Sequence, residues 1–185
     1  MKVLGLSGSL RRDSHNTKLL RVAEELLPAV ADFELYDALK EIPPYDEDDD
    51  VQPAPPAVAA FRRAIAEADA ILIATPEYNS SVPGQLKNAF DWASRPLATN
   101  PLRNKPVAVI GASTGAFGAV WAQAELRKVL GATGARVVDA ELALSHAHTK
   151  FDEDGQLIDE AALEQLAAAV AALAGSAAHV EPVAA

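Results

Sequence analysis

The 185-residue chain contains no cysteine. Disulfides, a thiolate nucleophile and a cysteine-ligated metal cluster are thereby excluded, and the composition suits a reducing compartment; the protein is expected in the cytoplasm. Basic residues are also scarce, with 16 lysines and arginines against 26 aspartates and glutamates and a net charge of −10. Bulk attraction to nucleic acid or to an anionic membrane is disfavoured at that balance, so neither is an expected partner and any phosphate site must be local. No uninterrupted apolar run reaches the ~18 residues of a membrane span, and the apolar start is too short for a signal peptide before it meets Gly8 and Ser9. Internal repeats and long linkers are absent as well.

What is present is the balance of a globular enzyme or carrier: 50% of residues are apolar and 23% charged. Short apolar runs at 2–6, 32–36, 70–75, 107–110 and 136–138 read as strands, and the run at 70–75 is apolar enough to be covered on both faces. Helical spacing separates them: Leu19, Leu20, Val22, Ala23, Leu26 and Leu27 form one stripe, and helices are expected at 58–68, 85–93 and 119–130. Five βα repeats with short connections predict an α/β fold, a doubly wound five-stranded parallel sheet with helices on both faces. The proline-flanked acidic stretch at 37–56 is expected to be a solvated loop without chemistry of its own. Leu163, Leu166, Val170 and Leu173 predict a terminal Ala-rich helix ended by Gly175. One domain over 1–174 and a disordered tail over 175–185 complete the expected organisation.

In an open α/β sheet the ligand lies beyond the carboxyl ends of the strands, where the strand order reverses. Three loops there are unusual. The first runs from Ser7 to Thr17 and leads hydroxyl, amide and arginine side chains into a helix amino terminus, which offers free N–H groups and positive dipole to an anion. It lacks the Walker A order and the three-glycine dinucleotide fingerprint, so a monophosphate fits it better than a pyrophosphate. On the plainer reading Ser14 or Asn16 is a helix cap and both Arg11 and Arg12 are surface charge. The second loop, 75–84, sets Glu77, Tyr78 and Asn79 between prolines that stiffen it, suited to presenting backbone groups to the edge of a planar ring. In the third, 111–118, Ser113, Thr114 and Gly115 stand among small residues that permit close backbone approach to a ligand.

Gly8-Ser9-Leu10-Arg11 with Ser14 and Asn16, then Pro76-Glu77-Tyr78-Asn79, Pro83-Gly84 and Leu86-Lys87-Asn88-Ala89-Phe90-Asp91-Trp92, closely resemble the NADPH-dependent FMN reductase family. Chromate and quinone reductases of flavodoxin-like fold belong to that family. The resemblance extends to about Leu144. It implies a non-covalently bound FMN whose phosphate is held by Ser9, Arg11, Ser14, Asn16 and Thr17. Pro76, Glu77, Tyr78 and Asn79 would lie at the edge of the ring, with Ser113, Thr114 and Gly115 completing its pocket. It further implies an oxidoreductase that takes electron pairs from NADPH or NADH and passes them through FMN to a small acceptor: a quinone, free flavin, an azo compound or a metal oxyanion. The flavin carries the chemistry, so no catalytic side chain is nominated, and backbone N–H groups at 77–79 are the candidates for stabilising charge on the reduced ring.

The competing expectation is a flavodoxin-type electron carrier that binds FMN without using NAD(P)H. No metal site is expected, because His146 and His148 have no third ligand nearby in the sequence. Family members usually associate, so a homodimer or homotetramer is expected. Leu86, Phe90 and Trp92 on one short helix are its expected support.

Overall fold

The computed structural model describes residues 1–179. Strands β1 (Lys2–Ser7), β3 (Ala70–Thr75) and β4 (Pro106–Ala112) are continuous aliphatic runs, and every residue after Lys2 in them is buried. Alternate side chains serve opposite cores, as the two-residue period of a strand requires. Leu4, Leu6, Ile71, Ile73, Val107 and Val109 face α2 (Pro56–Glu67), α3 (Gly84–Ala93) and α4 (Val120–Ala132). Val3, Leu72, Ala74, Ala108 and Ile110 face α1 (His15–Leu26) and α5 (Glu160–Ala178). Strand β2 (Asp32–Tyr36) lies at the edge, and the order is β2-β1-β3-β4-β5 with every pairing parallel. The winding reverses between β1 and β3, which opens a crevice at their carboxyl ends.

The sheet has six strands where five are expected. Strand β5 (Arg136–Val137) and β6 (Ala143–Leu144) both pair with β4, one after the other along its length. Between them the chain leaves the ladder, and Arg127 of α4 takes up the freed carbonyls: its guanidinium donates to Val138 O and Val109 O, both at 2.9 Å, and to Ala140 O. A side chain thus replaces peptide groups at the fifth position of the sheet. Burial pulls the Arg127 pKa below its ordinary value, opposed by the carboxylates of Glu141 and Asp139.

Leu86, Phe90 and Trp92 support no interface, because all three are enclosed in the core. The other face of α3 has a different task. Gln85 donates to Leu39 O and Ile42 O, while Asn88 and the Trp92 indole both donate to Pro43 O, so the start of the proline-rich stretch is strapped to this helix. Gly175 does not end α5, which runs on to Ala178. A Cβ at Gly175 would meet nothing, so the residue carries only the helix-propensity penalty of about 1 kcal/mol. Residues 180–185 of the expected tail lie outside the described residues. By length and composition α5 would pass for a membrane span. Its Leu166, Val170 and Leu173 are instead packed on the sheet.

Arg127→Met keeps an unbranched apolar stem and removes the guanidinium donors. Val138 O keeps the Ala140 N–H, but with the carbonyls of Val109 and Ala140 left unpaired, stability should fall by about 2–4 kcal/mol in urea unfolding. A loss below about 1 kcal/mol would overturn the assigned role.

Candidate functional site

The loop after β1 is anchored before it reaches any ligand. Gly8 N donates to Ala74 O at 2.8 Å. Ser14 is the N-cap of α1 and accepts from Thr17 N at 3.3 Å, while the Thr17 hydroxyl lies 2.9 Å from that of Ser7. Asn16 is buried, and its amide donates to Ala112 O at 3.0 Å and accepts from Ala112 N at 2.9 Å. The side chains of Ser14, Asn16 and Thr17 are therefore committed within the protein. The Ser9 hydroxyl and the exposed Arg11 guanidinium stand at the mouth. Beside them are the first-turn N–H groups of His15 and Asn16, which helix geometry leaves without intrahelical acceptors. Together with the helix dipole these form a cradle for one phosphate. The His15 ring turns aside and stacks on Phe151, centroids 5.7 Å apart. Burial, assisted by the neighbouring Lys18 cation, holds its imidazole below the ordinary pKa.

Tyr78 and Ser81 exchange backbone hydrogen bonds of 3.1 and 3.2 Å, and Asn79 and Ser80 between them have φ of 53° and 59°. This is a two-residue hairpin turn of type I′. Two glutamates clamp it to α4. Glu77, at its base, accepts from Trp121 N at 3.0 Å and Ala122 N at 3.1 Å, capping a helix whose own N-cap position, Ala119, has no side-chain acceptor. Glu125, one turn further along α4, accepts from the Ser81 hydroxyl at 2.6 Å and from Val82 N at 3.3 Å. Those two donors hold the Glu125 carboxyl below the usual carboxylate range. Glu77 is thus an anchor rather than a ligand-facing acid. The Tyr78 N–H is taken by the hairpin itself, leaving those of Glu77 and Asn79 for a ligand.

The third loop is pinned from behind. Ala147 N donates to Ser113 O and His146 N to Gly115 O, both at 3.0 Å. Gly118, at φ 59°, passes so close to Ala143 that a Cβ would sit 2.3 Å from its carbonyl, which only glycine tolerates.

A cleft of about 130 Å³ lies where the three loops meet. Ser9, Arg11, Ser14 and Asn16 form one wall, Pro76, Glu77 and Tyr78 a second, Ser113 and Thr114 a third. Thr17, Asn79 and Gly115 do not line it. His15 and Ala112 do, though neither was expected to. Glu125 escaped sequence reasoning because its partners are 43 and 44 residues away and no local pattern connects them. Among the described residues no group of three or more His, Asp or Glu side chains is arranged to hold a metal.

Residues 1–149 match the family described as NADPH-dependent FMN reductase. The chain is 47% identical over 165 residues to an NAD(P)H-dependent FMN reductase of Pseudomonas aeruginosa, covering 89% of this chain and 88% of that one. It is 38% identical over 169 residues to a quinone reductase of Escherichia coli, covering 90% and 89%. Among solved structures, FerB, an NAD(P)H:(acceptor) oxidoreductase of Paracoccus denitrificans, superposes with a TM-score of 0.86 at 37% identity, covering 96% and 97% of the two chains.

The clamp is testable without any ligand. Glu125→Ala should accelerate amide hydrogen exchange at Val82 and Ser81 about tenfold or more, whereas Glu125→Gln, which keeps an acceptor oxygen, should stay near wild type. Unchanged exchange in the alanine variant would remove Glu125 from the account.

Proposed function

The chain belongs to the NADPH-dependent FMN reductase family, and we propose that it holds FMN in the three-loop cleft and reduces quinones at the expense of NADPH or NADH. The observation that carries the reading is the division of the cleft. One end is a cationic cradle built for a single phosphate, and the other is two stiffened loops with backbone groups and no charged side chain turned inward. FMN has that distribution of chemistry, one phosphate at one end and a planar ring at the other.

In this reading Ser9 and Arg11 hold the phosphate by their side chains, with the backbone of His15 and Asn16 beneath it. Ser14, Asn16 and Thr17 act by fixing the loop. Pro76, Glu77, Tyr78 and Asn79 form one edge of the ring pocket and Ser113, Thr114 and Gly115 the other. Bound FMN supplies the redox chemistry, two electrons at a time. The chain binds and orients, and the hairpin clamp keeps the pocket from having to reorganise around the ring. Free flavin, azo compounds and metal oxyanions are further proposed acceptors, since each accepts electrons at an open cleft without demanding a side-chain acid. Family membership sets aside the electron-carrier alternative, and the absence of cysteine together with the need for a nicotinamide supply supports work in the cytoplasm.

A homodimer or homotetramer is part of the proposal, and its support has moved from α3 to the start of α4. Phe117, Val120 and Trp121 are 62%, 40% and 46% exposed, and the two aromatic rings pack 4.8 Å apart beside the hairpin. A cluster of that kind on a charged surface suits a second copy of the chain. Trp121→Lys should lower the mass seen by light scattering at micromolar concentration. A wild-type protein that is already monomeric would overturn the proposal.

The FMN-loaded protein should oxidise NADPH or NADH with a benzoquinone as acceptor, and a loaded protein that consumes neither donor would refute the function. Arg11→Ala should weaken FMN binding by about tenfold to a hundredfold while leaving riboflavin affinity unchanged, since a guanidinium meets a phosphate with two charge-assisted hydrogen bonds and riboflavin has no phosphate. Equal losses for FMN and riboflavin would move the phosphate elsewhere.

A further inference from the structure

The first residue of α1 brings more to the cleft than its backbone. His15 lines the wall beside Ser9 and Arg11, and its ring lies against Phe151 with the two planes 15° apart. A stack of that kind fixes the ring plane and leaves the ring edge, where the nitrogens are, free to bond. Nδ1 is buried, yet it has no hydrogen-bond partner among the described residues. Because Nδ1 is bonded directly to the ring carbon that carries Cβ, it stays close to the residue's own N–H, and that N–H belongs to the phosphate cradle.

The charges around the ring lean the same way. Arg11 of the phosphate loop, Lys18 of α1 and His148 of the 3-10 turn at Ala147–Thr149 all act on it, and its stacking partner Phe151 is neutral. The carboxylate among its neighbours, Asp13, is already bound to Lys18 at 2.7 Å. A buried polar atom among basic groups is stabilised by an anion, which supplies the missing partner and offsets the repulsion that keeps the imidazole neutral.

We propose that His15 is a side-chain ligand of the phosphate held in this cradle, with Nδ1–H donating to a phosphate oxygen. The proposal rests on the flavin reading of the cleft. Its consequence is that FMN enters with uptake of a proton from solvent at His15. A phosphate dianion within hydrogen-bond reach favours imidazolium, so the His15 pKa is higher in the loaded protein than in the flavin-free one. The protonated ring then binds phosphate better, and FMN affinity falls as pH rises through the His15 pKa of the loaded protein. Arg11 cannot produce that slope, because a guanidinium stays charged throughout. The second ionisation of the phosphate, at about pH 6, acts in the opposite sense.

The test measures FMN and riboflavin affinity by flavin fluorescence from about pH 6.5 to about pH 8.5, in the wild type and in His15→Phe, which keeps a ring on Phe151 and removes both nitrogens. Wild-type FMN affinity should drop about threefold to tenfold across that range, with riboflavin flat. In His15→Phe the slope should vanish and FMN binding at the acid end should weaken about tenfold, with riboflavin unchanged. Proton NMR of the wild type should give His15 a pKa higher by about one unit or more with FMN bound than with riboflavin bound. A slope that survives in His15→Phe belongs to the exposed His146 or His148 and overturns the proposal. So does an equal loss of FMN and riboflavin affinity, which is what a merely structural ring would give, and so does a His15 pKa that FMN leaves unmoved. Inorganic phosphate separates the proposal from the flavin reading. A protein that binds no flavin ends that reading; inorganic phosphate that still raises the His15 pKa upholds the ligand, and inorganic phosphate that leaves it in place overturns it.

Discussion

The site depends on one buried amide. β3 ends at Thr75, one residue short of its neighbour, because Pro76 turns the chain away; β4 goes on to Ala112. The peptide groups of Gly111 and Ser113 already face the β6 side, where they donate to Leu142 and Leu144. Ala112 therefore presents its N–H and C=O toward a strand that is no longer there. The Asn16 side chain supplies both missing partners, acting as a fragment of strand carried on a helix. That bond pair ties the start of α1 to the end of β4 across 96 residues, and it sets the distance between the phosphate cradle and the third loop. An aspartate or leucine here would leave at least one backbone group buried and unpaired.

The architecture was legible because its signals were redundant. Strand β2 and strand β3 lie where their apolar runs place them, and alternate residues of β1, β3 and β4 serve two cores as the uninterrupted hydrophobic strands imply. The fifth strand was harder, since Arg136, Val137 and Val138 carry ordinary strand propensity. Only the arrival of Arg127 from α4 explains why pairing stops and resumes at Ala143. Gly175 misled for the opposite reason. A glycine stop is a local rule, and a helix held down by Leu166, Val170 and Leu173 passes through it.

For the site, the three loops that the sequence singles out meet in one cleft, and several of their polar side chains are engaged within the protein. Ser14, Asn16 and Glu77 carry functional groups of the right chemistry, and all three direct them at their own backbone. Such groups are indistinguishable in a sequence from those that reach a ligand, because both need the same hydrogen-bonding capacity in the same few residues.

The two glutamates that fasten the hairpin have a consequence for anyone wishing to recombine this chain with a relative. One clamp residue belongs to the hairpin and grips the helix, while the other belongs to the helix and grips the hairpin. A segment exchanged over 76–82 alone would arrive with one half of a reciprocal fastening and find an unmatched position at 125. The heritable module is therefore discontinuous, a turn and the first two turns of a helix some forty residues later, and chimaeras should be cut so that both pieces travel together.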